Sequence, residues 1–395
     1  MSVAGSAVSK VRRSVQSLLI VSFSRLELDA RLRRQIALFS DRYEVVTAGF
    51  GPAVPGAARH IELLPPPGGL RRRMRRYAEA VLMRLRAHRL MYRTDPMVRS
   101  ARRRLRGLVV DKVLANDIET VPLALEIAAP SRIHADLHEF YPGLHDDNAA
   151  WVRLRQPYYD WLVREHAPRV ASVTTVGPGV AEAYLKRFEF EPRVVTNAPR
   201  FESREPSPVH TPLRLVHAGA ALRERRLEET IRAVASSSAD LRLTIHLTEN
   251  DPAYLDELRA LAASTGGRVT LLPPVPQPEL VETLSAHDVG IHVMSSHITN
   301  QAVALPNKFF DFVQARLGVI VGPTPGMASL VREHGIGAVA DGFDEASIRD
   351  VLDRLDAATV AQWKNAADAA APALAAEPQL PVWESAVDAL ASAGP

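Results

Sequence analysis

The chain has 395 residues and no cysteine, which excludes disulfide staples, thiolate nucleophiles, cysteine-ligated zinc and iron–sulfur clusters. With 47% hydrophobic and 24% charged residues it is neither disordered nor collagen-like, and it is longer than one hydrophobic core usually serves. A net charge of +3 is too near balance for a general nucleic-acid coat.

Lys10, Arg12 and Arg13 precede Leu18-Leu19-Ile20-Val21, an apolar run too short for a secretory signal, and no run of about 18 apolar residues offers a spanning helix. The expectation is a reducing, cytoplasmic compartment with at most peripheral membrane contact. Ser17–Phe23 reads as a buried strand, Asp29–Ser40 as an amphipathic helix and Tyr43–Ala48 as a second strand. Further strands are expected at Leu108–Ala115, Arg132–Leu137 and Val170–Val176. Pro199–Pro212 carries four prolines among polar residues and reads as a linker.

The alternation then restarts. Strands are expected at Leu213–His217, Leu241–Leu247, Arg268–Leu272, Asp288–Met294, Gly318–Val321 and near Ala338. Helices are expected at Leu227–Ala235, Ala253–Ala263, Pro278–Ser285 and Lys308–Ala315, with a last one at Val382–Ala391. The fold class is therefore α/β, with two Rossmann-like domains facing across a cleft where ligands bind. The expected units are 1–205, 206–375, and a C-terminal segment 376–395 that can pack back on the first.

One segment breaks the charge balance. Residues 71–106 contain 14 arginines and no lysine against Glu79 and Asp95, so they carry +12 and the remaining residues must sum to −9. Met74, Tyr77, Ala78, Val81, Leu82 and Leu85 share one helical face, while Arg72, Arg73, Arg75, Arg76, Arg84 and Arg86 lie mostly outside it. Such a helix can lie on an anionic membrane surface, its arginines meeting lipid phosphates. The plainer alternative is a solvated helix packed on its own domain. Nucleic acid is not expected as a partner, since only Tyr77 and Tyr92 offer rings for stacking.

In the second half, Leu305-Pro306-Asn307-Lys308-Phe309-Phe310-Asp311-Phe312 is followed by Gly318-Val319-Ile320-Val321 and Pro325-Gly326-Met327. This ordered set resembles the donor-binding half of the nucleotide-sugar glycosyltransferases of the GT-B fold. His217-Ala218-Gly219 and Arg225-Arg226-Leu227-Glu228 are similar to that family's first strand, turn and helix. Asp29-Ala30-Arg31, Leu114-Ala115-Asn116-Asp117 and Asp136-Leu137-His138-Glu139 are similar to motifs of its other half.

The resemblance implies a donor site at Gly219, Arg226, Asn307, Lys308 and Asp311. Arg226 and Lys308 would meet the diphosphate, Asp311 the ribose hydroxyls, and Gly219 would let backbone approach closely. The charge on a departing diphosphate calls for such cations and helix N-termini. Read singly, Lys308 and Arg226 are also ordinary surface residues, and Asp311 also suits a first helical turn. The family position of His138 faces the reacting sugar; Glu139 would orient it or act as acid or base. Three positions depart from the pattern: Val303 stands where many retaining members carry an acid, Ala220 where an arginine often follows the glycine, and Ser22-Phe23-Ser24-Arg25 replaces a glycine-rich turn.

The expected activity is that of a metal-independent glycosyltransferase with no cofactor. It would move a sugar from a nucleotide diphosphate donor to a lipid-linked or polysaccharide acceptor at the inner face of the membrane. A nucleotide-sugar epimerase of the same fold and a non-catalytic membrane-associated scaffold are the alternatives.

Overall fold

The computed structural model describes residues 15–64, 78–294 and 297–392. Two parallel sheets stand side by side, each flanked by helices. The first has the order β3-β2-β1-β4-β5-β6-β7, with β1 Ser17–Arg25, β2 Glu44–Phe50, β3 Arg59–Glu62, β4 Lys112–Asn116, β5 Ile133–Leu137, β6 Ser172–Thr175 and β7 Arg193–Val194. The second has the order β10-β9-β8-β11-β12-β13, with β8 Leu213–Ala220, β9 Leu241–Thr248, β10 Val269–Leu272, β11 Val289–His292, β12 Gly318–Val321 and β13 Gly337–Val339.

Both orders reverse direction once, between β1 and β4 and between β8 and β11. At each reversal the flanking loops part and leave a crevice beyond the strands' carboxyl ends. The central strands form where they do because they are covered on both faces. Leu18, Leu19, Ile20 and Val21 are all inaccessible to solvent, as are Val319, Ile320 and Val321.

β3 and β7 are additions to the sequence expectation. Both are short edge strands without an apolar run. The strand expected over Leu108–Ala115 begins only at Lys112, because Val109 is exposed and Gly107 turns in the left-handed region.

The linker residues 199–212 have no regular structure but are anchored. Asp288 accepts from the backbone of His210 and Arg214, and the buried Lys364 amine reaches Ser207 and Asp288. The last helix, Leu380–Asp388, crosses back to the first sheet, where Trp383 and Val387 pack with Leu18, Ile20, Leu32 and Phe39. Its final carbonyls, Val387 and Asp388, accept from the buried Lys112 amine at 2.8 and 3.2 Å, a cation at a helix C-terminus.

Of the arginine-rich segment, Arg72, Arg73, Arg75 and Arg76 lie outside the described residues. The rest is not one long helix. Residues 78–84 are helical, a left-handed Arg86 breaks the run, and His88–Thr94 and Pro96–Arg104 follow, separated at Asp95, which caps the second of them. The expected apolar face is divided. Leu82 joins the core together with Met83, which the helical spacing did not include, whereas Leu85 is 71% exposed and Val81 is also outward. Arg84 and Arg86 are exposed.

Candidate active site

Three motifs scattered over more than a hundred residues meet at the carboxyl ends of the first sheet. Asp29 caps the helix Ala30–Phe39 by accepting from the amides of Arg31 and Leu32. That helix turns Arg31 inward, where its guanidinium makes a two-pronged pair with Asp136 at 2.7 Å for both contacts. Asp136 also accepts from Gln35 and from Thr174, each at 2.6 Å. Burial alone would raise the Asp136 carboxyl; Arg31 outweighs it and holds the group well below the usual carboxylate range.

His138 stands one residue beyond β5. Its Nδ1 is 3.3 Å from Asp117, and its Nε2 is 3.4 Å from Asp136 and 3.1 Å from the Asn116 side-chain oxygen. Burial disfavours a charged ring, but Asp117 and Asp136 override it and raise the pKa to about 9. The ring is therefore an imidazolium at neutral pH, a donor and positive charge rather than a base. Glu139 is also raised, by burial. Its Oε2 accepts from the Asn300 amide at 2.5 Å, and the Asn300 oxygen accepts from the Phe140 amide at 2.8 Å. Asn300 belongs to the short helix Thr299–Val303 of the second unit, so the two halves of the chain are joined at this point.

His138 and Glu139 line a cavity of about 400 Å³ whose opposite wall includes Arg225, His292, Asn307, Lys308 and Thr324. Two helices begin at it: Asn307–Gln314 and Pro325–His334, the latter following β12. Their free amide ends add partial positive charge to Arg225 and Lys308. The first of these helices sits unusually close to its sheet. A side chain at Gly290 of β11 would come within 2.2 Å of the Phe312 ring, so glycine is required there.

Lys308 and Asn307 lie on the cavity wall, and the Lys308 amine is 3.6 Å from Asp311. Asp311 is buried, its carboxyl raised by that burial. It faces an adjoining hollow of about 260 Å³ shared with Arg33, Arg34 and Asn197. Gly219 faces a third hollow, of about 290 Å³, that also touches Arg225, Thr248, Val275 and Lys308.

Arg226 departs from the expectation. It adopts a left-handed backbone, φ 48°, and its guanidinium pairs with Glu229 at 2.6 Å, away from the cavity. The preceding Arg225 takes the inward place, because the single 3-10 turn Arg223–Arg225 after β8 rotates it toward Gly219. Among the described residues Arg225 has no ion-pair or hydrogen-bond partner, and burial lowers its pKa. No group of three or more His, Asp or Glu side chains among the described residues is arranged to hold a metal ion.

No family model matches the chain, and no curated protein does either. Solved structures do. Sucrose-phosphate synthase from Thermosynechococcus elongatus is 13% identical over 94% of this chain and 97% of its own, with a TM-score of 0.69. HepE from Anabaena, solved with UDP and glucose, is 14% identical over 95% and 100%, with a TM-score of 0.67. WaaG, a glycosyltransferase involved in lipopolysaccharide biosynthesis, is 13% identical over 94% and 99%, with a TM-score of 0.61. The chain has the GT-B fold. In GT-B terms the cavity is the cleft between the two Rossmann-like units, and its second wall is formed at the switch point between β8 and β11.

Proposed function

We propose that the protein is a glycosyltransferase that takes a sugar from a nucleotide diphosphate donor and passes it to a lipid-linked or polysaccharide acceptor at the cytoplasmic face of the membrane. The observation that carries this reading is the asymmetry of the cleft: Arg225, Lys308 and two helix N-termini converge on one wall, opposite His138 and Glu139. A diphosphate leaving group gathers negative charge as the glycosyl bond breaks, and fixed cations and amides aimed at it lower that barrier.

In this account Gly219, Arg225, Asn307 and Lys308 bind the donor, with Asp311 behind Lys308 holding its amine. His138, an imidazolium held by Asp117, Asn116 and Asp136, sets a fixed positive charge beside the transferred sugar. Glu139, raised toward neutrality and steadied by Asn300, is suited to proton exchange with the acceptor hydroxyl. The acceptor lies against the first unit. Exposed Leu85, Leu90 and Val109 among Arg84, Arg86, Arg89 and Arg93 suit an anionic bilayer carrying a lipid-linked acceptor. Among the described residues, no helix is long and apolar enough to cross a membrane.

Thermal-shift screening against UDP-, GDP- and TDP-sugars tests the donor reading. Stabilisation by one nucleotide series, lost in Lys308→Ala, is the expected result; no response to any of them would overturn it. Product analysis with and without acceptor then separates transfer from epimerisation of the donor alone.

A further inference from the structure

His292 closes β11 and His217 lies three residues before the end of β8, the two strands that flank the switch point of the second sheet. Their rings are stacked, with centroids 5.6 Å apart and planes within 9°, and both are almost completely buried. His217 Nδ1 lies 2.9 Å from the Ile291 carbonyl, an acceptor, so that nitrogen carries the hydrogen and Nε2 presents a lone pair. His217 Nε2 and both nitrogens of His292 have no hydrogen-bond partner among the described residues. Leaving such groups unsatisfied in the interior costs about 1–3 kcal/mol each, so the arrangement calls for a ligand.

The surroundings name its charge. A Cβ built on Gly219 would lie 2.9 Å from Arg225 Nη1 and 3.1 Å from His217 Nε2, so the guanidinium and the imidazole converge over the bare face of that glycine. His292 lines the main cavity beside Lys308 and Thr324, whose buried hydroxyl is also without a partner among the described residues. Glu224 stands on the same wall; Asp311 is engaged with Lys308, and His246 of β9 is engaged with the Pro273 carbonyl. Across the cavity stand His138 and Glu139.

We propose that the stacked His217–His292 pair anchors the diphosphate of the nucleotide-sugar donor by taking up one proton from solvent as the donor binds. This rests on the donor-binding reading above. It also accounts for Ala220: where the resembling family often has a permanently charged arginine, this chain has a pair of imidazoles that takes a single positive charge only when an anion arrives. In the free protein, burial first, and then Arg225 and Lys308, keep the pair neutral, with His217 lowered to about 4 and His292 also held well below its usual value. A phosphate oxygen reverses that balance. The added proton goes to a ring nitrogen, which then donates to the phosphate. The rings are close enough that a second proton would meet the first, so uptake stops at one.

The test is calorimetric titration of the full chain with UDP-, GDP- and TDP-glucose at several values between about pH 6 and 8, in buffers of different ionisation enthalpy. The diphosphate of a nucleotide-sugar is esterified at both ends and does not itself titrate there. Expected are net uptake approaching one proton and tighter binding at lower pH. His292→Phe, which keeps the stacked shape, should abolish the uptake and weaken binding by about tenfold or more. His217→Gln is the second variant, and thermal melts establish that each is folded. Nucleotide binding without proton uptake, or with uptake unchanged in both variants, overturns this inference and leaves the donor reading standing. Failure of every nucleotide-sugar to bind the unaltered protein overturns the donor reading itself. Inorganic phosphate displacing the nucleotide-sugar with equal affinity would assign the pair to free phosphate and overturn the proposal.

Discussion

On the first wall of the cleft the charges face one another, and on the second they face the open space. Asp136 is surrounded by Arg31, Gln35, Thr174 and His138, and Asp117 completes the His138 pair. Across the cavity the Arg225 guanidinium has no partner among the described residues, and His217, His292 and Thr324 each carry a buried polar atom in the same state. Charges paired in this way hold their geometry without a ligand, even though the Gln35 oxygen and the Asn116 amide nitrogen have no partner among the described residues. A wall with a spare cation and unsatisfied buried polar atoms is less stable alone and responds most to a ligand that satisfies them. The first wall is therefore a template for geometry and the second a receptor for charge.

That contrast predicts different phenotypes for the two walls. Asp136→Ala should have the largest effect on the fold, because it strands the buried Arg31 guanidinium; a loss of about 3–5 kcal/mol in urea denaturation is expected. Next comes Arg225→Ala. It should leave the urea midpoint unchanged or raised, while weakening nucleotide-sugar binding by about 10- to 100-fold in calorimetry. A comparable loss of stability in this variant would erase the distinction.

His138 tests the first wall by pH. Its pKa in the folded protein, about 9, is above the value of about 6.5 in an unfolded chain. Its contribution is thus complete below about pH 6.5 and disappears as pH rises through 9. On the order of 2–3 kcal/mol should be lost over that window, and His138→Gln should flatten the profile. Arg226→Ala, by contrast, removes a half-buried pair to Glu229, which keeps the Glu345 amide as a partner, and should change stability by no more than about 1 kcal/mol and leave nucleotide-sugar binding unchanged.

A further prediction concerns the outer surface. Arg84→Glu with Arg86→Glu should reduce co-sedimentation with anionic liposomes, at about 1 kcal/mol per arginine, and leave recovery with neutral ones unchanged. Equal recovery of the unaltered protein with both lipids would remove the membrane reading.

Much of this arrangement is legible in the residues. β1 and β12 carry continuous apolar runs and β8 and β9 carry apolar residues at strand spacing, so all four stand where the expectation put them, to within a few residues at their ends. His138 is legible because it directly follows β5, and Lys308 because it opens a helix. Arg225 is not, since two adjacent arginines differ only by the rotation that a left-handed residue imposes. Asn300 is not legible either: its contact with Glu139 spans 161 positions and depends on how the two units meet. The histidine pair shows the same limit from the other side. His217 falls within a motif, but its stacking partner lies three strands later in the chain and becomes a neighbour only because β11 crosses over to lie beside β8.

The C-terminal helix has a consequence for how the first wall is built. Trp383 lies under the Arg31 guanidinium, 4.6 Å from ring to cation, and its indole donates to Thr174, which in turn donates to Asp136. The network that shapes the first wall is therefore buttressed by a helix that follows the whole second unit in the chain. Covering Lys112 and Arg31 requires this segment, so the first wall is completed only by residues that lie beyond the second unit in the chain.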